Sequence, residues 1–127
     1  MQYADGLFTV PPITFEGHAA HIANVRFEHE TAGITVNGVS IDTNRESQAL
    51  ITAAALSAVI DPTYVCIWKA LSGPVELTAT QLIAVATAVR AHVQACFDRE
   101  CQLLEALAEG TYTVDMLDHG WPAAQGA

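Results

Sequence analysis

His18 and His21 stand three residues apart, with Glu16, His29, Glu28 and Glu30 close by in the sequence. Two imidazoles at that spacing share one face of a helix. A nearby carboxylate would complete the donor set of a catalytic metal that keeps one position open. On that reading the chain is a small metal-dependent hydrolase. A plainer reading competes with it: the stretch follows an irregular segment, contains no HExxH-type pattern, and its histidines face solvent. We favour the plainer reading and expect no metal site.

Two other groupings invite chemistry. Asp42, Arg45 and Glu46, with Arg26, could pair carboxylates beside a guanidinium for acid–base work. The same residues also describe a helix start, because Asp42 and Glu46 favour the positive end of the helix dipole and Arg45 can bridge to a carboxylate. Structural capping is the reading we adopt. His92 and Cys96 lie one helical turn apart, as a thiol nucleophile and its base would. No third orienting group or oxyanion loop accompanies them, and a cysteine inside a helix is poorly placed for attack. Trp68 and Trp121 read as core or interface anchors. The sequence holds no P-loop, GxGxxG, GxSxG or EF-hand pattern. The expectation is a non-enzymatic protein with no catalytic residue, no metal and no cofactor.

Composition narrows the partners. The 127 residues include 14 acidic and 5 basic side chains, a formal net charge of -9. That argues against a nucleic-acid partner, since phosphate binding needs a basic face. Half the chain is hydrophobic, enough for one domain's core. No apolar run reaches the roughly 18 residues of a membrane span, so no membrane insertion is expected. Cys66, Cys96 and Cys101 are odd in number and lack CxxC spacing, which fits reduced thiols.

The positioning elements follow from local signals. Residues 1–20 read as an extended N-terminal arm, because Pro11 and Pro12 disfavour α geometry at the residues before them. The arm carries Leu7, Phe8, Val10, Ile13 and Phe15, which must be buried on its own domain or across a neighbouring subunit. His21 to Ile41 reads as a three-stranded meander: Ile22, Val25 and Phe27 interleave with polar residues, Thr31-Ala32-Gly33 turns, and Asn37-Gly38 is a hairpin signal. Thr43 with Glu46 forms a capping box for a helix that Asp61-Pro62 ends. Tyr64–Lys69 and Val75–Leu77 make a second hairpin. Thr78 and Gln81 form another capping box, opening a helix that runs to Glu109 with Gly110 as its cap. At 1.5 Å per residue that helix is roughly 45 Å long, so it either breaks near Asp98-Arg99 or projects from its domain. Thr113 caps a short turn over Val114–Leu117. The expected fold is α+β: small antiparallel hairpins packed on two main helices, the second long (Thr78–Glu109), preceded by the arm. Residues 21–122 would form one domain and residues 123–127 a frayed tail.

The stretch Ile41-Asp42-Thr43-Asn44-Arg45-Glu46-Ser47-Gln48 resembles a domain family of tailed bacteriophages and prophages, often encoded near tail-fibre genes. The similarity continues through Ala49-Leu50-Ile51-Thr52 and Trp68-Lys69. It resumes at Leu77-Thr78-Ala79-Thr80-Gln81 and Val89–Gln94, and ends near Gly110-Thr111-Tyr112 and Gly120-Trp121-Pro122. It covers about Val36 to Pro122. The Asp-Thr-x-Arg-Glu-Ser element is its most specific part, and the family supplies no enzymatic residues to carry over.

The resemblance implies a structural component of a phage or prophage tail, at the tail tip, baseplate or fibre region, located in the virion and made in the host cytoplasm. Its partners would be other tail or fibre proteins and further copies of itself. The alternative is a tail-fibre assembly chaperone. The contact surfaces would be Leu7, Phe8, Val10, Pro11, Pro12, Ile13 and Phe15 in the arm, and Val89, Val93, Phe97, Leu103 and Leu104 along the long helix.

Overall fold

One helix organises the molecule. In the computed structural model, which describes residues 13–123, α3 (Ala79–Glu109) runs unbroken for 31 residues. It opens on the expected capping box: Thr78 Oγ1 accepts from the Gln81 amide, and the Gln81 side chain accepts from the Thr78 amide. It closes on Gly110, whose left-handed φ of 81° suits a residue without Cβ. The break considered at Asp98-Arg99 does not occur.

Nor does α3 project. Two further helices cover its apolar stripe. α1 (Phe15–Glu30) packs antiparallel along the C-terminal half, with Ile22 among Leu103 and Leu117. α2 (Arg45–Ile60) packs along the N-terminal half, with Ile51 and Ala58 among Leu82, Val85, Val89 and Val93. α1 and α2 therefore lie end to end on one spine. The end of α1 meets the start of α2 over the middle of α3.

α1 corrects two expectations. Residues Phe15–Ala20 are helical and do not extend the arm, and His21–Glu30 continues the same helix instead of forming a strand. Thr14 starts it, its Oγ1 accepting from the Gly17 amide at 3.0 Å. The period-2 reading failed because the inward stripe of α1 is largely polar: Arg26, His29 and Glu30 turn toward the body of the protein, while Phe27 is exposed. Among the described residues the fold is α+β as expected, with three helices and two small antiparallel hairpins, the last helix long.

The meander reduces to one hairpin. β1 (Ile34–Val36) pairs antiparallel with β2 (Val39–Ile41), Ile34 opposite Ile41. Asn37 and Gly38 both take positive φ, as a two-residue hairpin turn of this twist requires. β3 (Val65–Ala70) pairs with β4 (Gly73–Thr78) in the second hairpin. Cys66 and Trp68 face inward there, and Val65, Ile67 and Lys69 face outward, as alternation predicts. The Leu71 amide donates to the Ser40 carbonyl at 3.2 Å and links the two hairpins. A 3₁₀ turn (Val114–Asp118) brings the chain back beneath α3, where Arg99 donates to the His119 and Met116 carbonyls.

Candidate functional site

The densest polar cluster sits where the three helices meet. Glu30, at the last position of α1, is fully buried. Its carboxylate accepts from Arg26 Nη1 at 2.6 Å, from Arg45 Nε at 2.5 Å and Nη2 at 2.9 Å, and from Gln48 Nε2 at 2.9 Å. Arg26 also donates to Glu100 of α3 at 3.0 Å, and its guanidinium lies 4.4 Å from the centre of the Phe97 ring. Burial alone would push the Glu30 carboxyl up. The hydrogen bonds from Arg45, Gln48 and Arg26, with the Arg45 charge, outweigh it and hold the group below its ordinary value. A carboxylate so fully engaged by donors stays ionised at neutral pH and has no free lone pair directed at a substrate. The arrangement ties helices together; it is not a general base.

Of the acid–base candidates, the structure brings Arg26 and Arg45 together, but on Glu30, which sequence reasoning had considered only as a metal ligand. Asp42 is turned to the backbone instead: its Oδ1 accepts from the Asn44 amide at 2.9 Å. The cap also moves by one residue. Asn44, not Thr43, starts α2, its side chain accepting from the Ser47 amide at 2.8 Å. Thr43 is buried and committed elsewhere: its Oγ1 donates to the Glu30 carbonyl at 2.7 Å and accepts from the Gly33 amide at 2.9 Å. Glu46 is exposed and outside the cluster.

His92 and Cys96 do lie together, with Sγ 3.9 Å from Nε2. The same Nε2 is 2.9 Å from the His29 carbonyl oxygen, which can only accept, so Nε2 carries the proton. A protonated Nε2 cannot take the thiol's proton. Burial, then the Glu30 charge, push the Cys96 thiol up to about 11. The thiol is inert at neutral pH.

The histidines of α1 are separated by their packing. His18 meets Tyr112 edge-on at 5.3 Å, His29 stacks on Trp121 at 4.8 Å, and His21 is exposed. Among the described residues, no three His, Cys, Asp or Glu side chains converge to hold a metal ion. A cleft of about 470 Å³ opens between β1 and α3, bordered by Ile34, Val36, Ala84, Ala88, Ala91 and His92.

The expected contact surface divides. Leu7, Phe8, Val10, Pro11 and Pro12 lie outside the described residues, as does the tail beyond Ala123. Ile13 and Phe15 are exposed. Val89, Val93 and Leu103 are buried within the chain's own core, and Phe97 and Leu104 pack against it, because α1 and α2 already cover the stripe. The surface that remains apolar was not anticipated. α2 exposes Leu50, Leu56, Val59 and Ile60, and the β3–β4 hairpin exposes Val65, Ile67 and Leu71. Its signal was legible: no charged residue occurs between Glu46 and Asp61, and a helix apolar on every side has more than one face to bury.

No curated protein and no solved structure matches the chain. A family model described as a domain of unknown function, DUF4376, matches residues 17–118. That span takes in nearly all of α1, both hairpins, α2, α3 and the 3₁₀ turn, including the Glu30 cluster at their junction. The chain belongs to the DUF4376 family of domains of unknown function.

Proposed function

We propose that this protein is a non-enzymatic structural component of a bacteriophage or prophage tail, acting through contacts with other tail or fibre proteins and with copies of itself. The observation that carries the interaction reading is the exposed apolar side of α2, with Leu50, Leu56, Val59 and Ile60 on a helix that carries no charge between Glu46 and Asp61. Contiguous apolar surface of this kind marks protein contact sites. The polar clusters agree with it: Glu30 is saturated with donors, and the Cys96 thiol is held protonated beside a donor nitrogen. The tail setting rests on the resemblance around Ile41–Gln48. Among the described residues, no helix is long and apolar enough to cross a membrane.

Mass spectrometry of purified virions tests the proposal, with the protein expected at a fixed ratio to the fibre protein. Its absence from virions overturns the structural role. If it is absent and the neighbouring fibre protein trimerises only when co-expressed with it, the assembly-chaperone reading replaces ours.

A further inference from the structure

The cleft between β1 and α3 joins an apolar wall to one polar atom that has nothing to bond. Ile34 and Val36 of β1 form one side. Ala84, Ala88 and Ala91 form the other, at three- and four-residue steps along one face of α3. His92 borders the same cleft and is 7% exposed. Its Nε2–H is committed to the His29 carbonyl at 2.9 Å, so in the neutral ring Nδ1 carries a bare lone pair. Nδ1 is buried and has no hydrogen-bond partner among the described residues. A buried acceptor without a donor destabilises the fold, and a bound donor removes that penalty.

We propose that this cleft binds a small uncharged molecule with an apolar body and one O–H or N–H donor. The body lies against Ile34, Val36 and the α3 alanines, and the donor bonds His92 Nδ1. A volume of about 470 Å³ is that of a small-molecule site. No charged side chain borders the cleft among the described residues, so a charged ligand would lose its hydration without a counter-ion. The net charge of -9 further disfavours an anion. Asn37 and Thr87 also border the cleft, but both are exposed, and the Thr87 hydroxyl already donates to the Ile83 carbonyl at 2.8 Å. His92 is therefore the buried group that orients the ligand, and its lone pair selects a donor over a carbonyl or ether oxygen. None of the exposed apolar residues of α2 borders this cleft, so the inference stands apart from the interaction reading and from the tail setting.

Titration of ¹³C,¹⁵N-labelled full-length protein with p-cresol, followed by NMR, tests the site. The expected result is saturable shifts of the Ile34, Val36, Ala84, Ala88 and Ala91 methyl signals. The His92 Nδ1 resonance should move upfield as it accepts a hydrogen bond. Anisole, an isomer of p-cresol with no donor, should bind about threefold to tenfold more weakly. Ala91→Trp, at an exposed position on α3, should fill the cleft and abolish binding with little change in melting temperature. In His92→Phe the preference for p-cresol should vanish; if that variant does not fold, Ala91→Trp still decides the case. Absence of saturation, equal affinity for anisole, an unmoved Nδ1 signal, or shifts confined to Leu56 and Ile60 on α2 overturns the proposal. The virion measurement decides the tail role separately.

Discussion

The Arg45 guanidinium grips both oxygens of the Glu30 carboxylate, Nε at 2.5 Å and Nη2 at 2.9 Å, across 15 positions of sequence. The two partners are unequal. The Glu30 side chain is 1% exposed and that of Arg45 is 57% exposed. Removing the exposed cation leaves a buried carboxylate short of two hydrogen bonds and a neighbouring charge, whereas removing the carboxylate's charge leaves Arg45 free to face solvent. Arg45→Ala should therefore cost about 2–3 kcal/mol at neutral pH, and Glu30→Gln, which keeps one acceptor oxygen for the donors around it, about 1–2 kcal/mol. Arg26→Ala should fall nearer the larger value, because Arg26 is itself mostly buried and also holds Glu100. Urea denaturation of the three variants checks the order. Equal losses for Glu30→Gln and Arg45→Ala would contradict it.

The same carboxylate gives the fold a defined acid sensitivity. Its hydrogen bonds hold it below its ordinary value of 4.5, despite burial. The folded pKa is thus lower than the unfolded one, and as pH falls the unfolded chain takes up the proton first. The stabilisation is fully present above about pH 4.5, declines below it, and is gone once pH drops beneath the folded value. Melting temperature measured against pH should show the wild type falling faster than Glu30→Gln below about pH 4.5. Parallel curves would mean that another group controls acid unfolding.

Why this cluster was hidden in the sequence follows from where its members come from. Capping boxes and turns are local: Thr78 with Gln81, Gly110, Asp61-Pro62 and Asn37-Gly38 each declare an element end within a few residues, and all sit where expected. The Glu30 cluster is assembled from partners 4, 15 and 18 positions away, with Glu100 joined to Arg26 across 74. No spacing rule links such residues before α1 and α2 are laid on α3. α1 itself was obscured for a related reason. Its inner face carries Arg26, His29 and Glu30 where an ordinary amphipathic helix carries leucines, so its 3.6-residue period is written in polar residues. Missing α1 also left the C-terminal half of α3 uncovered in the sequence reading, which is why Leu103 and Leu104 were assigned to a partner.

The start of α2 offers a comparison among three polar residues within four positions, Thr43, Asn44 and Glu46. Asn44 makes the cap, so Asn44→Ala should cost about 1 kcal/mol. Glu46 is exposed, and Glu46→Ala should be close to neutral. Thr43→Val keeps the shape but strands the buried Gly33 amide and Glu30 carbonyl, at about 2–3 kcal/mol. Thermal melts of the three single variants test the ranking. A Thr43→Val cost no larger than that of Asn44→Ala would show that water replaces the lost hydroxyl.

The three cysteines should report the packing directly. Cys101 is exposed on α3, Cys66 is half-buried on the inner face of β3, and Cys96 is fully buried beneath the α1–α2 junction. The Cys96 thiol, pushed up to about 11 by burial and the Glu30 charge, holds a negligible thiolate fraction at pH 8. Alkylation of native protein with iodoacetamide, read by peptide mass, should modify Cys101 first and leave Cys96 unmodified until the fold opens. The junction also makes the modification conditional. Glu30→Gln removes the charge that raises the thiol and loosens the helices that cover it, so Cys96 should react faster in that variant than in the wild type. Rapid Cys96 alkylation in the wild type would mean that α1 separates from α3 far more often than a fully engaged Glu30 carboxylate allows.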